Sequence, residues 1–167
     1  MSQTTGNSQI FQINISDGGV PKQPLRQAEV QTLGISGDRQ RDTRHHGGPL
    51  RAISLFSLEL ILALQAEGHP IYPGSVGENI TLSGLDWTLV VPGAIMQLGD
   101  SVRLQVTSFA IPCRHIRHSF HDEQFTRISP TLHPGWARAY TQVLQTGVIR
   151  IGDPVILWHT PEPPPLP

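Results

Sequence analysis

The stretch "FAIPCRHIRH" (109–118) holds the single cysteine of the chain, Cys113, with several ionisable side chains directly after it. A thiol attacks electrophiles or binds soft metals as the thiolate, and a nearby cation stabilises that form. Arg114 and His115 supply such cations, and Pro112 fixes the backbone just before the thiol. A lone cysteine is also among the most frequently buried side chains, where it only packs. The residues alone leave both readings of Cys113 open.

A zinc site is a further alternative for the same stretch. Thiolate and imidazole are the ligands that zinc prefers, and Cys113, His115, His118 and His121 follow one another closely. The paired C-x-x-C or H-x-x-x-H spacing that marks such sites is missing. Zinc therefore remains a minor alternative.

Positive charge gathers in the stretch "GISGDRQRDTRHHGGPLRA" (34–52). Gly47 and Gly48 let the backbone approach a ligand closely and leave amide groups pointing outward. Arg44, His46 and Arg51 are the side chains expected to hold an anion there. The alternative is a glycine-rich turn with solvated charges.

The stretch "GSVGENITLSG" (74–84) places Glu78 and Asn79 directly after Gly77, at the start of an expected strand. An acceptor and an amide at this point could contact a ligand. A turn whose asparagine bonds its own backbone is the alternative.

Short strands must position these residues. Apolar and polar residues alternate in several segments, which is typical of half-buried strands; the segments are 10–16, 28–34, 51–57, 78–84 and 101–108. Residues 57–67 have the spacing of a helix, with Ser57 as the cap and Gly68 as the stop. Around Thr146–Gly147 we predict a hairpin. The fold class is therefore mostly β, a largely antiparallel barrel or sandwich with one clear helix.

Composition narrows the class of protein. A chain of 167 residues suits one domain, which we place at residues 1–159, followed by a proline-rich, disordered tail at 160–167. Twelve basic and 13 acidic residues nearly cancel, which argues against nucleic acid as a partner. The sequence has no apolar run of membrane-spanning length. We expect a cytoplasmic protein with no membrane partner.

Taken in order, "GDRQRDTRHHGGPLRA", "GSVGENITLSGL", "IMQLGDSVRLQVTSFAIPCRHI" and "GWARAYTQVLQTGVIRIGDPVIL" resemble the MOSC domain, named after the C-terminal domain of molybdenum cofactor sulfurase. The resemblance runs from about residue 20 to 158. Similar domains have a largely β-barrel fold. They occur in cofactor sulfurases, in the mitochondrial amidoxime-reducing component and as small bacterial proteins, some of which reduce N-hydroxylated purines.

The resemblance also implies roles for the residues already noted. It makes Cys113 the ligand to molybdenum in a molybdopterin cofactor. Glu78 and Asn79 would bond the pterin or orient a substrate N–OH group. The cofactor phosphate would be held by a cradle around the two glycines, with further contacts from the residues beside it; this set comprises Arg44, His46, Gly47, Gly48, Arg51, Gly77 and Arg114.

Two positions depart from the pattern of the relatives. Ala110 stands where many relatives have an arginine shortly before the cysteine, and Leu50 stands where many have an acid. Arg114 is a candidate to replace the missing cation. These departures bear on cofactor retention and on the choice of substrate.

Two function classes follow. The first is a molybdenum-cofactor enzyme that reduces small N-hydroxylated or N-oxide substrates with electrons from a separate protein. The second is a sulfur carrier in which Cys113 holds a persulfide delivered by a cysteine desulfurase. The enzyme requires His46 and Arg51 on one cleft with Cys113, within about 10–15 Å, and Glu78 and Asn79 are expected to line the same cleft.

Overall fold

A computed structural model describes residues 2–4, 6–39 and 47–159. These residues form twelve β-strands and one α-helix, with short 3-10 turns between them. The strands are β1 (Ser2–Thr4), β2 (Gln9–Ile15), β3 (Gln23–Leu25), β4 (Gln27–Gln31), β5 (Gly34–Ile35), β6 (Ile53–Ser57), β7 (Ile80–Ser83), β8 (Ile95–Leu98), β9 (Val102–Phe109), β10 (Ala139–Gln145), β11 (Gly147–Arg150) and β12 (Val155–His159). The 3-10 turns are Pro49–Arg51, Trp87–Leu89, Arg114–Ser119, His121–Glu123 and Phe125–Ile128.

The strands form two sheets. The larger has nine strands in the order β1-β12-β8-β9-β10-β6-β7-β2-β3, and the smaller has three in the order β11-β4-β5. All neighbouring strands are antiparallel except β6 and β7. The predicted mostly β, largely antiparallel fold is confirmed. The expected barrel is not closed, because β1 and β3 form the two edges of the larger sheet in the described residues.

The predicted helix is confirmed as α1 (Leu58–Ala66). Ser57 caps it, because its hydroxyl accepts a 3.2 Å bond from the Leu60 amide. Gly68 follows the helix with a φ of 99°, which glycine adopts without strain. The helix connects β6 to β7, and such parallel neighbours require a crossover of this kind.

The five predicted strand segments all contain strands, but the hairpin at Thr146–Gly147 is wrong. Strand β10 pairs with β6 and β9, whereas β11 leaves the large sheet and pairs with β4. Both sides of β10 are occupied, so β11 has no free edge there. In the small sheet Ile149 is fully buried opposite Ala28, and this burial stabilises the pairing of β11 with β4.

The core lies beneath both sheets and includes fully buried residues from β2, β6, α1 and β9. Along β9, Val102, Leu104 and Val106 are buried while the residues between them are more exposed, as the alternation predicted. No α-helix of the described residues is both long and apolar enough to cross a membrane. The predicted tail, 160–167, lies outside the described residues.

Candidate functional site

Cys113 lies just beyond the end of β9, at the start of the 3-10 turn Arg114–Ser119. Pro112 before it and Ile116 after it are buried and hold the turn, while the thiol itself is half-buried. The Ile116 amide donates a 3.2 Å bond to the Cys113 carbonyl. The sulfur lies 3.3 Å from Nδ1 of His115, so an imidazole is in hydrogen-bond contact with the thiol. Cys113 is therefore neither sealed in the core nor fully exposed.

Strand β10 brings an arginine to the segment that leads to the cysteine. The Ala110 amide donates a 2.8 Å bond to the Arg138 carbonyl, which extends the register in which Ala139 pairs with Phe109. Residues directly opposite in a ladder present their side chains on the same face. Ala110 is buried on that face. An arginine therefore stands opposite position 110, although position 110 itself has none.

Tyr140 lies on one face with two arginines. The Arg51 guanidinium carbon lies 5.5 Å from the centre of the Tyr140 ring. Arg138 stands two residues before Tyr140, and alternate residues of an extended strand share a face. Burial raises the pKa of the Tyr140 phenol, and the positive charges of Arg138 and Arg51 act to lower it. Cys113 follows three residues after Ala110, the residue opposite Arg138.

Arg138 is a buried cation, with 5% of its surface exposed. Its Nη1 donates a 2.6 Å bond to the Val76 carbonyl, but its Nε is buried without a hydrogen-bond partner. None of the ion pairs among the described residues includes Arg138. Burying a charge without full pairing is costly, so this arginine calls for an explanation beyond packing.

The segment 74–79 is hydrogen-bonded to three elements around Cys113 and Arg138. The Ser75 carbonyl accepts a bond from the Ser119 hydroxyl, which belongs to the turn after Cys113. The Val76 carbonyl accepts the bond from Arg138, and the Gly77 carbonyl accepts one from the Ser54 hydroxyl. Gly77 itself has a φ of 84°. The segment is thus fixed to the cysteine turn, to β10 and to β6.

Glu78 is fully buried within this segment. Its Oε1 accepts a 2.9 Å bond from the Gly74 amide, and its Oε2 accepts a 3.4 Å bond from the Thr81 hydroxyl. Burial raises the pKa of Glu78 from 4.5 to about 7; backbone hydrogen bonds and the positive charge of Arg138 act in the opposite direction. The carboxyl is therefore out of contact with solvent, and it interacts electrostatically with Arg138.

Asn79 is also buried, and its amide joins three parts of the fold. Its oxygen accepts a 3.0 Å bond from the Ser54 amide in β6. Its nitrogen donates a 2.9 Å bond to Asp38, whose carboxylate also pairs with Lys22 at 2.6 Å. The polar atoms of Asn79 are thus occupied by protein groups. A catalytic role for Glu78 or Asn79 remains a prediction.

The predicted phosphate cradle is described in part. Gly47 and Gly48 have φ values of 88° and 81°, and a side chain at Gly48 would meet no atom within 4 Å. Arg51 ends the turn that follows these glycines, and Leu50 is exposed within that turn. The two remaining members, Arg44 and His46, lie outside the described residues.

A cleft of about 320 Å³ borders Gly47 on the side facing the small sheet. Gly34, Gly37 and Asp38 line it, together with Ala52. Its volume lies in the range of small-molecule sites. Cys113, Arg51, Glu78 and Asn79 are not among the described residues that line it, so this cleft is not the one expected around the cysteine.

Two other expectations concern the cysteine turn. Arg114 is exposed, and its carbonyl accepts a bond from Nη1 of Arg117. No group of three or more His, Cys, Asp or Glu side chains within the described part of the chain is arranged to hold a metal ion. The zinc alternative therefore has no ligand set there.

Sequence reasoning missed Arg138 and Tyr140. Both fall in "GWARAYTQVL", where the apolar pattern indicates a buried strand rather than a site. An arginine within such a pattern is itself a signal, because a buried arginine requires a partner.

The chain is similar in sequence to known proteins. The MOSC domain family matches residues 42–156 of the chain. A protein named reductase from Gibberella moniliformis (strain M3125 / FGSC 7600) is 31% identical over 134 residues, which are 78% of this chain and 23% of that protein. The uncharacterized protein YflK of Bacillus subtilis (strain 168) is 28% identical over 137 residues, which are 80% of this chain and 60% of YflK. The chain thus spans less than two thirds of either relative.

Solved structures agree with the fold. The crystal structure of YiiM from Geobacillus stearothermophilus matches with a TM-score of 0.70 and 26% identity, over 90% of this chain and 75% of that one. The YUAD protein from Bacillus subtilis matches with a TM-score of 0.72 at 19% identity, over 93% of this chain and 97% of that one, and supports the fold alone.

Proposed function

This chain belongs to the MOSC domain family, and we propose that it binds the molybdenum cofactor and reduces N-hydroxylated or N-oxide compounds. In this proposal the Cys113 thiolate is the protein ligand to molybdenum. MOSC domains are associated with this cofactor in general. The observation that carries the proposal is the half-buried Cys113 at the end of the segment that pairs with Arg138, together with Arg51, whose guanidinium carbon lies 5.5 Å from the centre of the Tyr140 ring.

The residues around Cys113 fit such a group in two respects. A soft thiolate suits molybdenum, and the half-buried sulfur is accessible from one side. The open backbone at Gly48, with Arg51 one turn later, suits a phosphate, which binds well to outward amides and to a guanidinium. When bound, the cofactor would supply the oxygen-atom chemistry at its metal.

The remaining work falls to side chains of this chain. Arg51 and Arg138 place positive charge where an oxygen of the substrate gains negative charge. The buried Tyr140 ring lies under the Arg51 guanidinium and helps to fix the position of that cation. Glu78 and Asn79 hold the segment that carries the Val76 carbonyl, and with it the position of Arg138. Electrons would come from a separate donor protein.

The test is reduction of an N-hydroxylated purine by protein purified from a host that makes the cofactor. Reduced methyl viologen replaces the unknown electron donor. We expect turnover by the wild-type protein and none by Cys113→Ser, while Glu29→Gln, an exposed change in β4, leaves the rate unchanged. If wild-type protein contains molybdenum but reduces neither N-hydroxylated nor N-oxide compounds, the proposed reductase activity is wrong.

The contact between Cys113 and His115 favours a second candidate, the sulfur carrier. An imidazole 3.3 Å from the sulfur can take the thiol proton, and a half-buried thiol can reach a partner protein. Cysteine desulfurase with cysteine should then add one sulfur atom to cofactor-free protein, as measured by intact mass. Loss of this added mass in His115→Ala supports the carrier, and no added mass in the wild-type protein excludes it.

A further inference from the structure

We propose that Arg138 and Arg51 form a binding site for a small oxyanion, a carboxylate or a phosphate, beside Cys113. The site deepens the proposed function, since it assigns the anionic group of the substrate or of the cofactor to a place in the fold. Its existence can be tested in cofactor-free protein. The failure of one proposal is therefore distinguishable from the failure of the other.

The first support is the incomplete pairing of Arg138. The residue is only 5% exposed, Nη1 is bonded to the Val76 carbonyl, and Nε has no partner among the described residues. A bound oxyanion would supply the missing acceptor and the missing charge, because a planar guanidinium binds carboxylate or phosphate with paired bonds.

The second support is that the carboxyl group of Glu78 makes no hydrogen bond to Arg138. Glu78 acts electrostatically on Arg138 but directs its oxygens to the Gly74 amide and the Thr81 hydroxyl. Burial also favours its protonated form, so near neutral pH it neutralises the arginine only in part. The positive charge of Arg138 is left for another anion.

The third support is convergence. Arg51 lies over the Tyr140 ring, and Arg138, two residues before Tyr140, is on the same face as that ring. Ala110 is opposite Arg138, and the half-buried Cys113 follows three residues later. Two cations are thus placed on one face beside the segment that carries the thiol, which is the environment expected to attract a small anion.

The experiment compares two alkylating reagents of nearly the same size. Iodoacetate carries a carboxylate and iodoacetamide does not, and each forms one S–C bond with the thiolate as iodide leaves. Cys113 is the only thiol in the chain, so the rates report on this site alone. We expect the iodoacetate-to-iodoacetamide rate ratio of folded, cofactor-free protein to exceed that of urea-unfolded protein roughly tenfold, the scale of one charged hydrogen bond.

Variants assign this preference to residues. Arg138→Met should lower the rate ratio roughly tenfold, and Arg138→Lys should lower it less because the charge remains. Arg114→Gln is the matched control. It removes an exposed cation next to the cysteine, and such charges are well screened, so a change below about threefold is expected. An unchanged ratio in Arg138→Met, or a tenfold loss in Arg114→Gln alone, would overturn the proposal.

A wild-type measurement covers the case in which Arg138→Met does not fold. Sulfate at constant ionic strength should slow iodoacetate more than iodoacetamide, and equal slowing of both contradicts the site. The natural anion is then identified with cofactor-loaded Arg138→Lys. If this variant loses its cofactor on dialysis, the anion is the cofactor phosphate. If it keeps the cofactor but has a raised KM for a carboxylate-bearing substrate, and not for the neutral analogue of that substrate, the anion is the substrate carboxylate.

Discussion

Arg138 and Ala110 face each other across the β9–β10 ladder, joined by a 2.8 Å bond from the Ala110 amide to the Arg138 carbonyl. The family resemblance leads one to expect an arginine at position 110. Here an arginine stands at the position opposite to it, 138, instead. The two positions are therefore expected to be coupled, with room for one arginine and not for two.

A double-mutant cycle measures this coupling. Ala110→Arg should destabilise the wild-type protein by about 3 kcal/mol, because it crowds a buried face and adds a like charge beside Arg138. The same change in an Arg138→Ala background should cost at least about 1 kcal/mol less. Urea unfolding of the four proteins gives the coupling energy. Equal costs in both backgrounds would show that the two side chains do not share the space.

Glu78 should make stability depend on pH. Its pKa is about 7 in the folded chain against 4.5 when unfolded, so the folded chain holds the extra proton between those values. Stability contributed by the protonated form is therefore lost as pH rises from about 5 to about 8, by about 2–3 kcal/mol.

Glu78→Gln removes this titration, so its free energy of unfolding should fall less over the same range than that of the wild-type protein. Urea unfolding at several pH values measures both curves. Glu29→Gln, an exposed change, is the control and should follow the wild-type curve. Parallel curves for wild type and Glu78→Gln would mean that Glu78 has an ordinary pKa.

Asn79 should matter for stability whatever it does in catalysis. Asn79→Ala leaves the buried Ser54 amide without its acceptor and removes one donor from the Asp38 carboxylate, which keeps Lys22, at a cost of about 1–3 kcal/mol. Chemical denaturation measures the loss. Asn7→Ala, at an exposed position, should change stability by less than about 0.5 kcal/mol. If both variants unfold alike, the Asn79 hydrogen bonds contribute nothing.

The strands and the helix could be predicted because their signals are local. Alternation along β9 and the Ser57 cap of α1 each lie within one segment, and the structure confirms both. The partner of β11 could not be predicted in this way, since the edge that it joins belongs to β4, distant in sequence. Thr146–Gly147 resembles a hairpin turn locally, but the neighbours of β10 decide its pairing.

The candidate site was predictable only in part, for a related reason. Cys113 and Arg51 have sequence neighbours that indicate chemistry, and the structure places Arg51 over the Tyr140 ring. Arg138 and Tyr140 stand inside a strand pattern, so only the fold shows that Arg138 is opposite Ala110, three residues before the cysteine. The burial of Glu78 likewise depends on the surrounding fold, because its sequence context is that of an ordinary glycine turn.

The molybdenum content of Cys113→Ser tests the central claim most directly. Wild-type and variant protein are purified from a host that makes the cofactor, and metal and protein are measured on the same samples. Serine is nearly isosteric but stays protonated, so the soft ligand is lost while the fold survives, which circular dichroism checks. We predict near-equimolar molybdenum in the wild-type protein and a trace in the variant. Equal molybdenum in both, with both folded, would contradict the assignment of Cys113 as the ligand.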